Sequence, residues 1–446
     1  VKAVTVKAMR AIDRSAVRDY SMRSIQLMEN AGRGVALAVE AELEEMGAKR
    51  PRVVVVVGKG NNGGDGFVAA RHLLNSGVGV TVLSLASLKD IKGDAGVNAG
   101  VWLKMGGEVA RLKSAADLKR RATLLRHASV IVDGMLGTGL TSPPRGLYAG
   151  VIDFINALGK RVVAIDVPSG IDATTGMVPG VAVKADVTAT MAVMKTGFFI
   201  YPARALAGRI EVVDIGLPRA LVTDESIRWN VITGARLTRV LTGRAPDAHK
   251  GSSGHLLLLA GSPGRTGAGY MAAMGAMRAG AGLVTIGLPA SLEPIMERKT
   301  TEAMTAALPE TEERTLGTAS FKAIAALLKG KSALVVGPGL GCNEEVSSLM
   351  ERLLGGAGRG KVPMVIDADG LNALVGRLKS LKAAAGTGRL VVLTPHPGEA
   401  ARLLNIKSPE VQRDRVGAAE ALVKRTGCVV VLKGPCTIVA APGPGA

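Results

Sequence analysis

Gly58-Lys59-Gly60-Asn61-Asn62-Gly63-Gly64-Asp65-Gly66-Phe67 follows directly on the apolar run Val53 to Val57 and opens the helix-like stretch Phe67 to Leu74. A β-branched run, a glycine-rich turn and an apolar helical stretch in that order read as strand, turn and helix. That is the first βα unit of an open α/β sheet. Glycines let backbone amides approach a ligand closely, and a helix start adds a partial positive field, so a phosphate-bearing ligand is the first expectation. The spacing Gly58, Gly60, Gly63 also fits a dinucleotide fingerprint, but the next strand, near Val78 to Leu85, ends in Ser84-Leu85-Ala86 without an acid for a ribose. An ordinary hydride-transfer site is disfavoured. Asn61, Asn62 and Asp65 instead bring side-chain oxygens into the turn, and that donor set suits a cation.

With 446 residues the chain has room for two or three domains and a large core. Hydrophobic residues make up 47% and aromatic ones 2%, so the core is built from Val, Leu, Ala and Met, and 58 glycines imply many tight turns. This is the composition of a soluble α/β protein. The net charge of +19 comes from scattered Lys and Arg, and aromatic stacking residues are scarce. Phosphate-bearing small ligands are therefore expected, and nucleic acid is not. Cys342, Cys428 and Cys436 lack a CxxC spacing and the five histidines lack an HExxH pattern, so neither a disulfide framework nor a zinc site is expected. The apolar runs are too short to span a bilayer and no signal-peptide pattern opens the chain. A cytoplasmic protein without a membrane partner is the expectation.

Ser15 to Gly47 carries Ile25, Met28, Val35, Val39 and Leu43 at helical spacing and reads as a packing helix broken by glycine. A strand from Val80 to Leu85, a helix from Asp94 to Met105 and a short strand from Glu108 to Leu112 follow the glycine loop. Val130-Ile131-Val132 then ends in Asp133-Gly134, and Arg161 to Ile165 ends in Asp166-Val167-Pro168-Ser169-Gly170. Carboxylates at the carboxyl ends of parallel strands lie where open α/β sheets place their ligands. Asn62 or Asp65, Asp133, and Asp166 with Ser169 could together hold one hard cation, leaving glycine amides for phosphates. Taken singly, Asp133 reads equally well as a turn cap. The apolar strand Val187 to Met194 delivers Lys195 to the same edge or to a solvated strand end, and Ile210 to Ile215 closes one doubly wound domain.

The combination of Leu27 to Gly32, Gly58 to Phe67, Asp133 to Gly139 and Asp166 to Gly170 resembles the NAD(P)H-hydrate epimerase family. That family forms the amino-terminal half of bifunctional NAD(P)H-hydrate repair enzymes, and the resemblance covers almost all of residues 1 to 220. It implies a potassium ion held by Asn62, Asp133 and Ser169. It also implies a site for the hydrated dinucleotide made by Asn61, Asn62, Gly63, Gly64 and Asp65, by Gly137, Thr138, Gly139, Leu140, Thr141, Ser142 and Pro143, and by Asp166. Hydrated nicotinamide carries a hydroxyl on the ring carbon beside the nitrogen. Inverting that centre requires the carbon to become planar and be rehydrated from the other face. Asp166 is the expected general acid and base, and Lys195 the group that stabilises developing negative charge.

Pro218 to Ala248 loses the strand rhythm and reads as a linker with a short helix, which puts a boundary near residue 225 and domains at 1–222 and 230–446. Strand Leu256 to Leu259 leads into a glycine-rich loop, Ala260 to Gly269, without the Gly-Lys-Ser/Thr ending of a Walker-type phosphate loop. Later strands end in Gly337-Pro338-Gly339-Leu340-Gly341, Asp367-Ala368-Asp369-Gly370-Leu371-Asn372, Thr394-Pro395-His396-Pro397-Gly398-Glu399 and Lys433-Gly434-Pro435-Cys436-Thr437. His396 alone reads equally as a structural histidine. The set resembles the ribokinase-like NAD(P)H-hydrate dehydratase family from about Lys250 to Thr437.

By that resemblance Ala268, Gly339 and His396 touch the hydrate, and Lys433, Gly434, Pro435, Cys436 and Thr437 bind the adenine nucleotide. ADP, or ATP in eukaryotes, with Mg2+, then drives removal of water from the S hydrate. The Gly-x-Gly-Asp loop that carries the base in ribokinase-like sites does not occur after residue 225. This half is therefore expected to be truncated at its carboxyl end, with a defective dehydratase unless the chain is part of a longer one. The expected fold class is α/β, a Rossmann-like doubly wound sheet followed by a ribokinase-like α/β domain. Expected partners are hydrated NADH or NADPH, an adenine nucleotide and further copies in a homo-oligomer. The alternatives are a kinase of small hydroxylated substrates and a nucleotide-sensing module without turnover.

Overall fold

The valine run ahead of the glycine loop forms the middle of a sheet buried on both faces. In the computed structural model all residues are described except 141, 242, 244–246, 248, 357–361 and 444–446. The chain divides into two units, Val1–Leu241 and Thr242–Ala446. The first contains β1 (Ala3–Val4), β2 (Arg52–Val57), β3 (Gly79–Ser84), β4 (Val109–Arg111), β5 (Val130–Gly134), β6 (Arg161–Ile165), β7 (Val187–Met191), β8 (Met194–Lys195) and β9 (Arg209–Val213). Its main sheet is parallel throughout, in the order β4-β3-β2-β5-β6-β7-β9, and β1 pairs with β8.

Helix α1 (Val6–Tyr20) packs on β1 and Val193, while α2 (Ser24–Glu45), α3 (Asn61–Asn75), α4 (Gly93–Lys104), α5 (Ala115–Arg126) and α6 (Leu147–Leu158) wind around the main sheet. Because side chains alternate along a strand, Val53, Val55 and Val57 face one layer with α2, α3 and α4. Val54 and Val56 face the other, with Leu118 and Leu125 of α5 and Ile152 and Ile155 of α6. The strand order reverses between β2 and β5, which opens a crevice at their carboxyl ends, the place where doubly wound sheets bind ligands.

The glycine loop differs from its expected reading. Helix α3 starts at Asn61, so Gly63, Gly64 and Gly66 lie inside its first turns rather than in a turn ahead of it. A Cβ on Gly63 would collide with the Gly58 carbonyl, one on Gly64 would sit 2.6 Å from Met28 Sδ, and one on Gly66 2.9 Å from Val57 Cγ1. These glycines bring α3 close to the loop, to α2 and to the sheet. Gly60 at the N-cap offers no side-chain acceptor, which leaves the opening amides of α3 for a ligand.

The expected helix from Ser15 to Gly47 is two helices. Its break is not at a glycine but at Ser21, whose φ of 55° ends α1. Gly32 and Gly34 stay within α2 because their missing Cβ atoms make room for Val68 and Val213. The strand expected to reach Met194 stops at Met191, since Ala192 turns to φ 59°. The segment after Pro218 is more than a linker. It forms short helices Arg219–Thr223 and Gly234–Val240, and between them Ala3 N donates to Trp229 O and Val231 N to Val1 O. The division therefore falls after Leu241, beyond the expected 222 to 230.

The second unit contains β10 (His255–Leu259), β11 (Leu283–Pro289), β12 (Met304–Leu308), β13 (Ala333–Val336), β14 (Met364–Ile366), β15 (Val391–Leu393), β16 (Val429–Leu432) and β17 (Ile438–Ala440). They form one sheet in the order β12-β11-β10-β13-β14-β15-β16-β17, parallel except at β17, and the order reverses between β10 and β13. β11, β12 and β17 carry no turn motif that marks them in the sequence.

Gly63→Ala is expected to destabilise the first unit by about 1–3 kcal/mol, because the colliding atom is backbone and cannot rotate away. Gly60→Ala meets open space and should stay within about 0.5 kcal/mol of the parent, both read from urea unfolding.

Candidate active sites

At the end of β6 Asp166 adopts a left-handed φ of 61°, a conformation worth roughly 1 kcal/mol or more of strain in a non-glycine residue. Its side chain explains why it stays there. Asp166 Oδ1 accepts from Lys195 Nζ at 2.5 Å, from Met191 N at 3.1 Å and from Thr190 Oγ1 at 3.2 Å. Lys195 is fully buried and donates also to Thr190 Oγ1 at 3.0 Å and Met191 O at 2.9 Å, so its three hydrogens are all used. The turn at Ala192 makes this possible by folding the chain back into β8, where Lys195 lies opposite Val4 of β1. Among the described residues no hydrogen bond reaches Asp166 Oδ2. That oxygen is free to meet a substrate.

Asp133, at the end of β5, is fully buried. Its Oδ1 accepts from Ser169 Oγ at 2.6 Å and Met135 N at 3.2 Å, and its Oδ2 from Ser169 N at 2.7 Å. Burial pushes its pKa up to about 6, against the pull of these hydrogen bonds. None of its hydrogen-bond partners among the described residues is cationic, so a bound cation would add to what these hydrogen bonds do for the charged form. Asn62 completes the group. Its Nδ2 donates to Ile165 O at 2.7 Å and to Leu136 O at 3.2 Å, and Ser169 Oγ lies 3.2 Å from the same Leu136 carbonyl. Gly137 fits only because a Cβ there would collide with the Asn62 amide.

Asp65 is buried on the first turns of α3, and no hydrogen bond reaches its carboxyl among the described residues. Burial, and then the charge of Asp166, raise its pKa well above the usual range. It can therefore carry a proton and donate a hydrogen bond. In the loop after β5, Thr138 O lies 3.4 Å from Arg10 Nη2 and Pro143 packs near Gly180. Gly139, Leu140 and Ser142 share that loop, and Thr141 lies outside the described residues.

The second unit gathers its residues after β10 and at the ends of β13 to β16. A Cβ on Gly339, whose φ is 68°, would lie 3.1 Å from Ala268 Cβ, so these two positions are neighbours. Asp369 Oδ2 accepts from Arg265 Nη1 at 3.2 Å and Gly341 N at 3.0 Å, and Arg402 Nε donates to Asn372 Oδ1 at 2.9 Å. His396 caps the helix Pro397–Leu404: its Nδ1 accepts from Gly398 N and Glu399 N at 3.0 and 3.3 Å, while half of its ring stays exposed. Lys433 Nζ donates to Asp367 Oδ1 at 2.6 Å, so the first residue of the expected nucleotide loop is already ion-paired.

Two family models match the chain, a YjeF-related protein N-terminus over residues 24–197 and an NAD(P)H-hydrate dehydratase over 256–445. A bifunctional NAD(P)H-hydrate repair enzyme of Moorella thermoacetica is 41% identical over 98% of this chain and 82% of its own length. The chain belongs to the bifunctional NAD(P)H-hydrate repair enzyme family. A second such enzyme, from Thermofilum pendens, is 37% identical over 99% of this chain and 82% of its own. Among solved structures, an ADP/ATP-dependent NAD(P)H-hydrate dehydratase from Bacillus subtilis shares 30% identity over 47% of this chain and 68% of its own, with a TM-score of 0.38. In this member of the repair-enzyme family the first model spans Asn62 to Lys195 and the second spans Ala268 to Thr437.

Sequence reasoning missed Thr190 and Asp13. Thr190 sits inside an apolar strand, where a β-branched residue carries no signal. Asp13, on α1, is raised by burial, lowered by Lys195 and raised by Asp166, so it lies within reach of that pair. Nothing marks it in the sequence apart from the amphipathic spacing of its helix. Thr190→Val keeps the shape but removes an acceptor from a buried ammonium. It is expected to cost about 1–3 kcal/mol of unfolding free energy, measured by chemical denaturation.

Proposed function

We propose that the first unit interconverts the R and S hydrates of NADH and NADPH, and that the second removes water from the S hydrate at the expense of ADP or ATP. In the second reaction the hydroxyl oxygen of the hydrate leaves with the terminal phosphoryl group of ADP as phosphate, and AMP remains. The observation that carries the epimerase reading is Asp166. Its Oδ1 is saturated by Lys195, Thr190 and Met191 while Oδ2 is left open at the strand end beside Asn62 and Ser169.

Inversion requires the hydroxyl to leave as water, with the ring nitrogen's lone pair closing a C=N bond, and a second water to add from the opposite face. Asp166 Oδ2 exchanges the proton of that water, and Lys195 holds the carboxylate in place and offsets its charge. Asp65, whose neutral form is favoured by burial and by the charge of Asp166, faces the same strand end. The amides that open α3 and the loop from Gly137 to Pro143 supply donors for the dinucleotide's phosphates. Asn62, Asp133 and Ser169 would hold a potassium ion, whose charge would offset Asp133 and draw the phosphates in.

Ala268, Gly339 and His396 are assigned to the hydrate in the second unit, and Lys433 to Thr437 to the nucleotide with its Mg2+. Likeness to repair enzymes over 98–99% of this chain and 82% of their own length favours this reading over a small-molecule kinase or a nucleotide sensor. Among the described residues no helix is long and apolar enough to cross a membrane. We infer a cytoplasmic enzyme. Exposed Leu37 and Val212 line a common cleft along edge strand β9, in keeping with a homo-oligomer.

Asp166→Asn is expected to slow epimerisation of purified R hydrate by about 10²–10⁴-fold, followed by chromatography of the two hydrates. Full activity in that variant would remove Asp166 from the chemistry. Asp133 gives a test that needs no turnover. With its pKa raised to about 6, its protonated form favours folding, a contribution complete below about pH 4 and lost as pH rises through 6. Potassium should therefore raise the Tm more at pH 7 than at pH 4.5, whereas tetramethylammonium should not, and Asp133→Asn should abolish the difference.

A further inference from the structure

The loop from Lys433 to Thr437 is built around one buried cation. Arg415 opens the helix Arg415–Thr426 and is 5% exposed. Its Nη1 donates to Pro435 O at 2.6 Å and Cys436 O at 3.3 Å, and its Nη2 to Lys433 O at 3.2 Å and Leu432 O at 3.4 Å. Three carbonyls of the turn and the last carbonyl of β16 thus point inward at one guanidinium. Gly434 is the only residue type that fits between them: its φ is 144°, and a Cβ would lie 2.7 Å from Arg415 Nη2. Cys436 is left-handed as well, at φ 54°.

The amides show the opposite pattern. Lys433 N donates to Pro395 O at 2.8 Å, and Pro435 has no N–H. The N–H groups of Gly434, Cys436 and Thr437 have no acceptor among the described residues. Peptide carbonyls and amides point in opposite directions, so gathering the carbonyls on a cation turns the amides away from it. Unpaired amides in a turn with left-handed residues form a concave site for an oxyanion. Arg415 lies beneath that site with Nε buried and unbonded among the described residues. Its positive charge adds to the amide dipoles.

We propose that Arg415 is a positioning residue for the nucleotide loop, holding its carbonyls inward so that the amides of Gly434, Cys436 and Thr437 take a phosphate group of the adenine nucleotide. The inference rests on the nucleotide reading of the second unit. An arginine is needed because its planar fork reaches several carbonyls at once, which the single nitrogen of a lysine cannot do.

The test measures ADP binding with Mg2+ to the full chain by calorimetry, with affinity for the S hydrate measured alongside. Arg415→Met should weaken ADP at least tenfold and Arg415→Lys by an intermediate factor, with affinity for the S hydrate held within twofold in both. A general loss of structure would not spare the hydrate. An Arg415→Met variant that binds ADP as tightly as the parent overturns the proposal. If the parent itself does not bind ADP, the nucleotide reading falls and takes the ligand assigned here with it. Hydrogen exchange on the parent chain gives a test independent of any variant: ADP should slow exchange at Gly434, Cys436 and Thr437, and adenosine should not. Equal protection by adenosine would overturn the phosphate assignment.

Discussion

A lysine ammonium with no exposure to water, closed on an aspartate at 2.5 Å, is the constraint on which the first unit depends. Removing one partner from such a pair leaves a buried charge unmatched, at a cost of about 3–5 kcal/mol. Unusual backbone lies at one end of the pair and just ahead of the other. Asp166 is left-handed, and Lys195 is reached only because Ala192 is left-handed too. The strain at both positions is held in place by the bonds that the pair makes with Thr190 and Met191. The carboxylate is aimed by the same contacts that keep the fold closed around it.

Much of this architecture is legible in the chain. Strands buried on both faces are continuous β-branched or leucine runs, and Ala333 to Val336, Met364 to Ile366 and Val429 to Leu432 end where their sequence says they end. Asn62, Asp133 and Ser169 meet because each follows such a run, and parallel strands deliver their carboxyl ends to one edge. Illegible were features that depend on partners remote in sequence. Thr190 looks like any strand residue until Lys195 folds back on it, and Arg415 looks like a solvated helix residue until four carbonyls close around it. The packing role of the glycines of the first loop was hidden for a related reason. Their permissiveness suggests ligand approach, and the missing Cβ atoms of Gly63, Gly64 and Gly66 also make room for protein.

The two units solve the same problem with different chemistry. Each reverses its strand order once, between β2 and β5 or between β10 and β13, and each sets its polar residues around that crevice or along the neighbouring strand ends. In the first, charge is concentrated in a dry cluster where a carboxylate and an ammonium are held still. In the second, it is spread along a more exposed edge, from Arg265 through Asp369 to the Lys433–Asp367 pair. The first arrangement suits proton movement at one carbon. The second suits holding a large, highly charged molecule across several strands.

The short pairing of β1 with β8 gives the stretch around Trp229 a significance beyond joining one unit to the next. Trp229 and Val231 are tied by backbone hydrogen bonds to Val1 and Ala3, and Val4 lies opposite Lys195. A catalytic half cut off at residue 222 would thus leave its outermost strand without its own neighbour. The loosening would travel by two short steps to the buried Lys195 ammonium and the Asp166 carboxylate that it holds. What looks like spare chain between domains is a brace for the buried Lys195–Asp166 pair.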